Sequence, residues 1–361
     1  MEQKLPLNLS LYLDLIRSVA AFLVFTMHIR NFFFPDAYWG PFGCGREAVA
    51  AFFVISGFVI SHVTAGKERD WRSYAVARMA RIYPVAILSI LLTLLCDGLA
   101  YRLYPVRAAE QMLKVGYGNA PNLLSSIIAS LSFTNQIWHR VWMLGSNGPY
   151  WSLGFEVPYY LLFALYLWAP KKWRWVAMAG WALFYGPNIC LYLPLWWLGV
   201  WTRGYVMSHP TGSFFKAIEC QMLSWTILVA VLFLAPNVHT VMQVLLPPAQ
   251  SLFNFAYYTS IGLAISLQII SFRWLAGERV IFPRALQSLI RWCASLSFSL
   301  YLLHLPVIFL AATLFPAQVA TPLGGLTAAM CVLLLVYLLA QIGERQKHFY
   351  VRLLRPLFGL S

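Results

Sequence analysis

Charge is what this sequence has least of. Only 11% of its 361 residues are Asp, Glu, Lys or Arg, less than half the roughly 25% of soluble domains, so an ordinary soluble globule is excluded. Acidic residues are the scarcest, 12 against 26 basic ones, which leaves a formal charge of +14. The six cysteines (Cys44, Cys96, Cys190, Cys220, Cys293 and Cys331) are scattered, with no C-x-x-C pair among them. That spacing supports neither a disulfide framework nor a zinc site. There is no H-E-x-x-H pair and no glycine-rich loop following a strand, so neither a metal site nor a nucleotide-binding fingerprint is expected. The apolar runs lack the polar alternation of a transmembrane barrel. Internal repeats, low-complexity tracts and a separate soluble domain are also missing, and the first apolar stretch lacks a small-residue cleavage signature, so it reads as retained.

Apolar residues make up 60% of the chain and aromatics 16%. Runs of near 20 residues are what a helix needs to cross about 30 Å of hydrocarbon, and helices satisfy their own backbone groups there. The expected fold is all-α, a single integral-membrane bundle over residues 1–361 with about ten spans. These fall near Tyr12–Phe34, Ala48–Thr64, Ile82–Tyr101, Tyr150–Ala169, Trp175–Tyr185, Ile189–Trp201, Cys220–Leu234, Ser251–Ile270, Cys293–Leu314 and Leu323–Ile342. Leu123–Ile137, in the long connection after the third span, reads as a short interfacial or re-entrant helix. Twenty of the 26 basic residues fall in segments on one side of this arrangement, which puts both termini in the cytoplasm by the positive-inside rule. Basic residues spread over short loops point to lipid headgroups or an anionic cofactor as partners, and away from nucleic acid.

Inside the first span, Arg17 and His28 stand eleven residues apart. Helical geometry brings them within roughly 20° of one face, about 16 Å apart along the axis. Ionisable residues within a membrane segment are costly and by default face a polar cavity or a partner. A neutral imidazole accepts a proton from a hydroxyl near neutral pH, which makes His28 the candidate for proton chemistry; the competing reading is a histidine that packs between helices. Arg17 presents a planar fork suited to phosphate or carboxylate, or else snorkels to the headgroups. Glu156, in NGPYWSLGFEVPYY, needs a donor at its depth, and either orients His28, binds hydroxyls or forms a structural pair. Trp151 and Ser152 precede it by about one turn. In RSYAVARMARIYP, Arg78 and Arg81 share a helical face and either clamp an anionic nucleotide or merely set topology. Ser299, Tyr301 and His304 lie in SLYLLHLP, where Pro306 favours a bend and packing competes with function. His62 reads as interfacial.

These motifs together resemble the membrane-bound acyltransferase-3 family: Arg17 with His28 as R-x10-H, FVISGFVI at Phe53–Ile60, RMARIYP at Arg78–Pro84, WSLGFEVPYY at Trp151–Tyr160 and SLYLLHLP at Ser299–Pro306. They occur in the family's order over nearly the whole chain. The resemblance implies a polytopic enzyme, in the bacterial cytoplasmic membrane, that takes an acyl group, usually acetyl, from cytoplasmic acyl-coenzyme A. The acceptor is a hydroxyl, often of a sugar or glycolipid. It implies His28 as the catalytic residue and Glu156 as an active-site acid, Arg17 as cofactor-side or His-supporting, and Arg78 and Arg81 as coenzyme-facing, while Trp151, Ser152, Tyr301 and His304 are assigned to the substrate. Acyl-coenzyme A enters as co-substrate, with no bound cofactor expected. Unlike some relatives, the sequence ends without a fused esterase-like domain. The rival expectations are a transporter for glycan or lipid, which more often shows paired broken helices, a non-catalytic assembly partner, and O-acylation of a secondary metabolite.

Overall fold

The computed structural model describes residues 5–35, 43–68, 70–115, 122–244, 247–277 and 281–360. These residues form helices and loops, with no strand among them. In chain order the helices are α1 (Leu7–Phe33), α2 (Gly45–Gly66), α3 (Trp71–Leu103), α4 (Pro105–Val115), α5 (Leu123–Leu131), α6 (Leu153–Trp168), α7 (Arg174–Tyr185) and α8 (Pro187–Ser208). They continue with α9 (Phe214–Val244), α10 (Pro247–Ala276), α11 (Arg284–Ala294), α12 (Ser297–Leu314), α13 (Pro316–Val319), α14 (Pro322–Ile342) and α15 (Lys347–Leu354). Seven described helical segments are long and apolar enough to cross a membrane, and α7 with α8 pass that test only as a broken pair.

Several helices run past their expected ends, α9 most of all (Phe214–Val244 against Cys220–Leu234), and two differences have a clear local origin. The basic stretch before Ile82 is helix from Trp71 onward, because Asp70 caps it: its Oδ1 accepts from the backbone N–H groups of Arg72 and Ser73, each at 3.0 Å. The Ser73 hydroxyl donates to the other oxygen at 2.6 Å. These bonds, that from the Ser73 hydroxyl first, hold the Asp70 carboxyl below its ordinary 3.8. The basic loop expected before the ninth span instead holds a separate helix, α11 (Arg284–Ala294), with apolar residues along one face and arginines near both ends, and the span itself starts at Ser297 as α12.

The chain packs as two compact units, the first formed by Met1–Leu23, Gly40–Glu68 and Leu191–Ala294, the second by Val24–Trp39, Arg69–Cys190 and Ser295–Ser361. In the first, α2 and α8 touch backbone to backbone. A Cβ on Gly57 would lie 2.1 Å from the Trp196 carbonyl oxygen, and one on Gly199 would lie 1.9 Å from that of Val54. Lipid provides no hydrophobic drive for helices to associate, so close approach at small residues is a main source of packing energy. Gly57→Ala or Gly199→Ala is therefore expected to destabilise the protein by about 1–3 kcal/mol or more, since the clash is with backbone and not with a side chain that can swing aside. Thermal unfolding in detergent measures it; a melting temperature equal to wild type would refute the contact. Between α9, α10 and α1, Tyr12 and Gln221 both donate to Gln268 Oε1, at 2.7 and 2.8 Å, and Ser271 donates to Gln221 at 2.5 Å.

The second unit is built on α3, α12 and α14. Phe25, Ile29, Phe32 and Phe33 from the last turns of α1 join Leu303, Leu305, Ile308 and Phe309 of α12 and Val332 and Val336 of α14 in one apolar core. Glu344, just after α14, accepts from the Ser299 N–H at 2.9 Å and so satisfies a donor in the first turn of α12, where a negative charge is favoured by the helix dipole. The short interfacial or re-entrant helix expected at Leu123–Ile137 is a helix, α5, that ends at Leu131. Its last residue meets α3 at Tyr83, whose hydroxyl donates to the Leu131 carbonyl at 3.4 Å, twelve residues or about 18 Å from the start of α3.

Candidate active site

The apolar core of the second unit holds α1 against α12, and His28 and His304 face each other there. His304 is fully buried. Its Nε2 lies 3.0 Å from Nδ1 of His28, with ring centroids 5.0 Å apart, and Phe25 meets its edge at 5.9 Å. His304 Nδ1 is 2.6 Å from the Leu300 carbonyl, and His28 Nδ1 is also 2.9 Å from the carbonyl of Val24.

Carbonyls only accept, which orders the protons when both rings are neutral. His304 Nδ1 must carry a hydrogen to reach Leu300, so its Nε2 is an acceptor. The proton between the rings then belongs to His28 Nδ1, which shares it between Val24 and His304. The tautomer of His28 is thereby fixed, with the lone pair on Nε2. One imidazole thus fixes the tautomer of the other through the hydrogen bond it accepts.

Of the remaining sequence candidates, Glu156 accepts a short hydrogen bond from the hydroxyl of Tyr160, one helical turn further along α6. Tyr160 lies in turn beside Arg78, whose guanidinium carbon is 5.9 Å from that ring and 5.5 Å from the ring of Tyr74. Arg78 is buried, Arg81 half-buried. Glu156, Tyr160 and Arg78 thus form one cluster. Nδ1 of His28 is already occupied by Val24 and His304, so the orienting role at that nitrogen does not fall to Glu156. Trp151 is half-buried and packs edge-on against Phe155 at 5.5 Å, and Ser152 is buried with its hydroxyl donating to Pro149 at 3.2 Å. Tyr301 is buried on α12, one turn before His304. In the first unit, Arg17 donates to the Ala294 carbonyl at 2.8 Å and pairs with Asp14 at 3.4 Å. Arg291 bridges the same carboxylate. Arg17 therefore ties α1 to the end of α11, where a cation is favoured by the exposed carbonyls.

Sequence reasoning missed the pairing of His28 with His304, which no local spacing encodes across 276 positions. It also passed over Tyr160, although a partner four residues from Glu156 is the expected helical neighbour. Asn135, Gln136 and Asn147, all fully or nearly buried, drew attention only as turn residues or not at all.

The helices define a multi-pass membrane protein, with two imidazoles paired between α1 and α12. Residues 10–341 match the family model described as an acyltransferase domain, and the chain belongs to the acyltransferase-3 family. It is a membrane acyltransferase. Neither the curated proteins nor the solved structures gave a match. Among the described residues no group of His, Cys, Asp and Glu is arranged to hold a metal ion.

Proposed function

We propose that this protein transfers an acyl group, acetyl in the simplest case, from acyl-coenzyme A to a hydroxyl of a carbohydrate or glycoconjugate, with His28 as general base. The observation that carries the reading is the imidazole pair, which leaves His28 with a defined basic nitrogen in a chain that belongs to an acyltransferase family. Nε2 of His28 takes the proton of the acceptor hydroxyl as its oxygen attacks the thioester carbonyl. The tetrahedral intermediate collapses with cleavage of the C–S bond, the imidazolium returns its proton to the thiolate, and ester and free coenzyme leave.

Arg78 and Arg81 supply positive charge for the coenzyme's phosphates, and Glu156 holds that cluster together through Tyr160. Trp151, Ser152 and Tyr301 are assigned to the substrates. Both ring nitrogens of His304 are engaged, so it is assigned to positioning His28, and Arg17 to anchoring α11. Counting α6, α7 and α8 as further crossings beside the seven segments that qualify singly makes ten spans. With the basic residues inside, both termini lie in the cytoplasm of a bacterial inner membrane. Purified protein in lipid is expected to release free thiol from acetyl-coenzyme A when a hydroxyl acceptor is supplied, followed with a thiol-reactive dye. A glycan or lipid translocator would release none.

A further inference from the structure

Between α5 and α6 lie polar side chains that the mechanism above does not use. Asn135 is 1% exposed and Gln136 4%. Neither Oδ1 nor Nδ2 of Asn135 has a hydrogen-bond partner, nor has Nε2 of Gln136, nor Oδ1 of the fully buried Asn147. Buried amides are paired in the great majority of folded proteins, and each exception asks for a cause.

The backbone that carries them is firmly held. Phe133 and Trp138, on either side, have φ of +54° and +55°, a left-handed conformation that bulky residues adopt only when their surroundings impose it. Phe133 stacks on Tyr150 with its ring centroid 6.4 Å away, the Trp138 N–H donates to Tyr185 at 2.9 Å, and the Trp142 N–H donates to the Asn135 carbonyl at 3.0 Å. Gly154 completes the cradle: a Cβ there would lie 2.5 Å from Asn135 Oδ1 and 2.8 Å from Gln136 Cγ. Asn147 fastens the end of the segment to α12, its Nδ2 donating to Leu302 and Thr93, each at 3.1 Å. Leu302 is two residues from His304. Irregular backbone among membrane helices is tolerated where it is buried in protein or lines a polar cavity.

We propose that Asn135, Gln136 and Asn147 form the subsite for the acyl acceptor, and that its ligand is a neutral polyhydroxyl group such as a glycosyl unit. The inference rests on the acyl-transfer reading above and names the substrate side of that site. The unpaired oxygens of Asn135 and Asn147 need a donor, while the unpaired amide nitrogens of Asn135 and Gln136 need an acceptor. A hydroxyl is both at once. A thioester or an ionised phosphate only accepts, and so leaves the two oxygens unmet. No charged side chain belongs to the trio, which suits an uncharged ligand.

The test uses full-length protein in lipid nanodiscs free of sugar headgroups, titrated separately with methyl β-D-glucopyranoside and with acetyl-coenzyme A while tryptophan fluorescence and unfolding temperature are followed. Wild type is expected to respond to both. In the double variant Asn135→Leu, Gln136→Leu the glycoside is expected to bind at least tenfold more weakly. Its unliganded unfolding temperature should stay at or above wild type, because unpaired amides give way to apolar groups of similar size. Gly154→Ala, which displaces the same two side chains without changing their chemistry, is expected to weaken the glycoside alike and serves if the double variant does not fold. Three results overturn the subsite: a wild type that ignores the glycoside; variants that bind it normally, so that the amides hold only water; or variants that lose acetyl-coenzyme A instead, which assigns the trio to the coenzyme's arm. Glycoside binding without any thiol release brings down the acyl-transfer reading and leaves the subsite standing, and thiol release without a glycoside response does the reverse.

Discussion

Alanine at position 28 is expected to slow acyl transfer in membranes by about 10²–10⁴-fold, the range that a positioned general base contributes. The change also removes the donor that His304 Nε2 accepts from, so a loss of activity alone leaves folding and chemistry entangled. His28→Asn separates them. An asparagine amide nitrogen falls where Nδ1 was and can still donate toward His304 and Val24, yet the amide has no basic nitrogen. It is expected to unfold at nearly the wild-type temperature and to be as inactive as the alanine variant. If either variant, expressed normally, releases thiol from acetyl-coenzyme A at the wild-type rate, the base lies elsewhere.

The second large effect is expected at His304. His304→Leu removes the ring that accepts from Nδ1 of His28, while the bond to the Val24 carbonyl stays. The ring is then less firmly held to one tautomer, and its imidazolium loses the neighbour that stabilises it. The expected fall in turnover is at least about tenfold, bounded by the roughly 10⁴-fold that a wrong imidazole tautomer costs a serine-protease triad. His304→Gln, whose side-chain oxygen can occupy the position of Nε2 and accept from His28, is expected to recover part of the rate. Packing alone predicts a different pattern, with loss tracking unfolding temperature and an unchanged pH profile. The pH dependence of turnover and the ¹⁵N shifts of His28 in the leucine variant decide between them; wild-type values in both end the positioning role.

The helical bundle was legible because composition and run length dictate it: a chain so poor in charge, with runs of about 20 apolar residues, has few other ways to satisfy its backbone. Helix ends were read less well where helices leave the apolar layer. The first turns of α3 and the whole of α11 are polar enough to pass for loops, and what makes α3 start at Trp71 is the single cap from Asp70. Arg17, His28, Glu156, Arg78 and His304 stood out as polar residues in apolar surroundings. Which of them meet was not legible, since it depends on which faces of distant helices come together: His28 turned out to face His304, and the bond to Glu156 comes from Tyr160 on its own helix. The turn with Asn135 and Gln136 was hidden for another reason. Phe133 and Trp138 have no local preference for positive φ, so their conformation is imposed from outside the segment that adopts it.

α3 has 33 residues and so rises about 50 Å. Even at a tilt of about 40°, the upper end of what membrane helices show, it covers about 38 Å against the roughly 30 Å of a hydrocarbon layer. Such a rod stands proud of the lipid by a turn or more, and the end capped by Asp70 carries exposed Arg72 with Arg78 two turns below. The same rod, farther along, holds Asn147 through Thr93, so one element joins the water-exposed arginine to the buried turn.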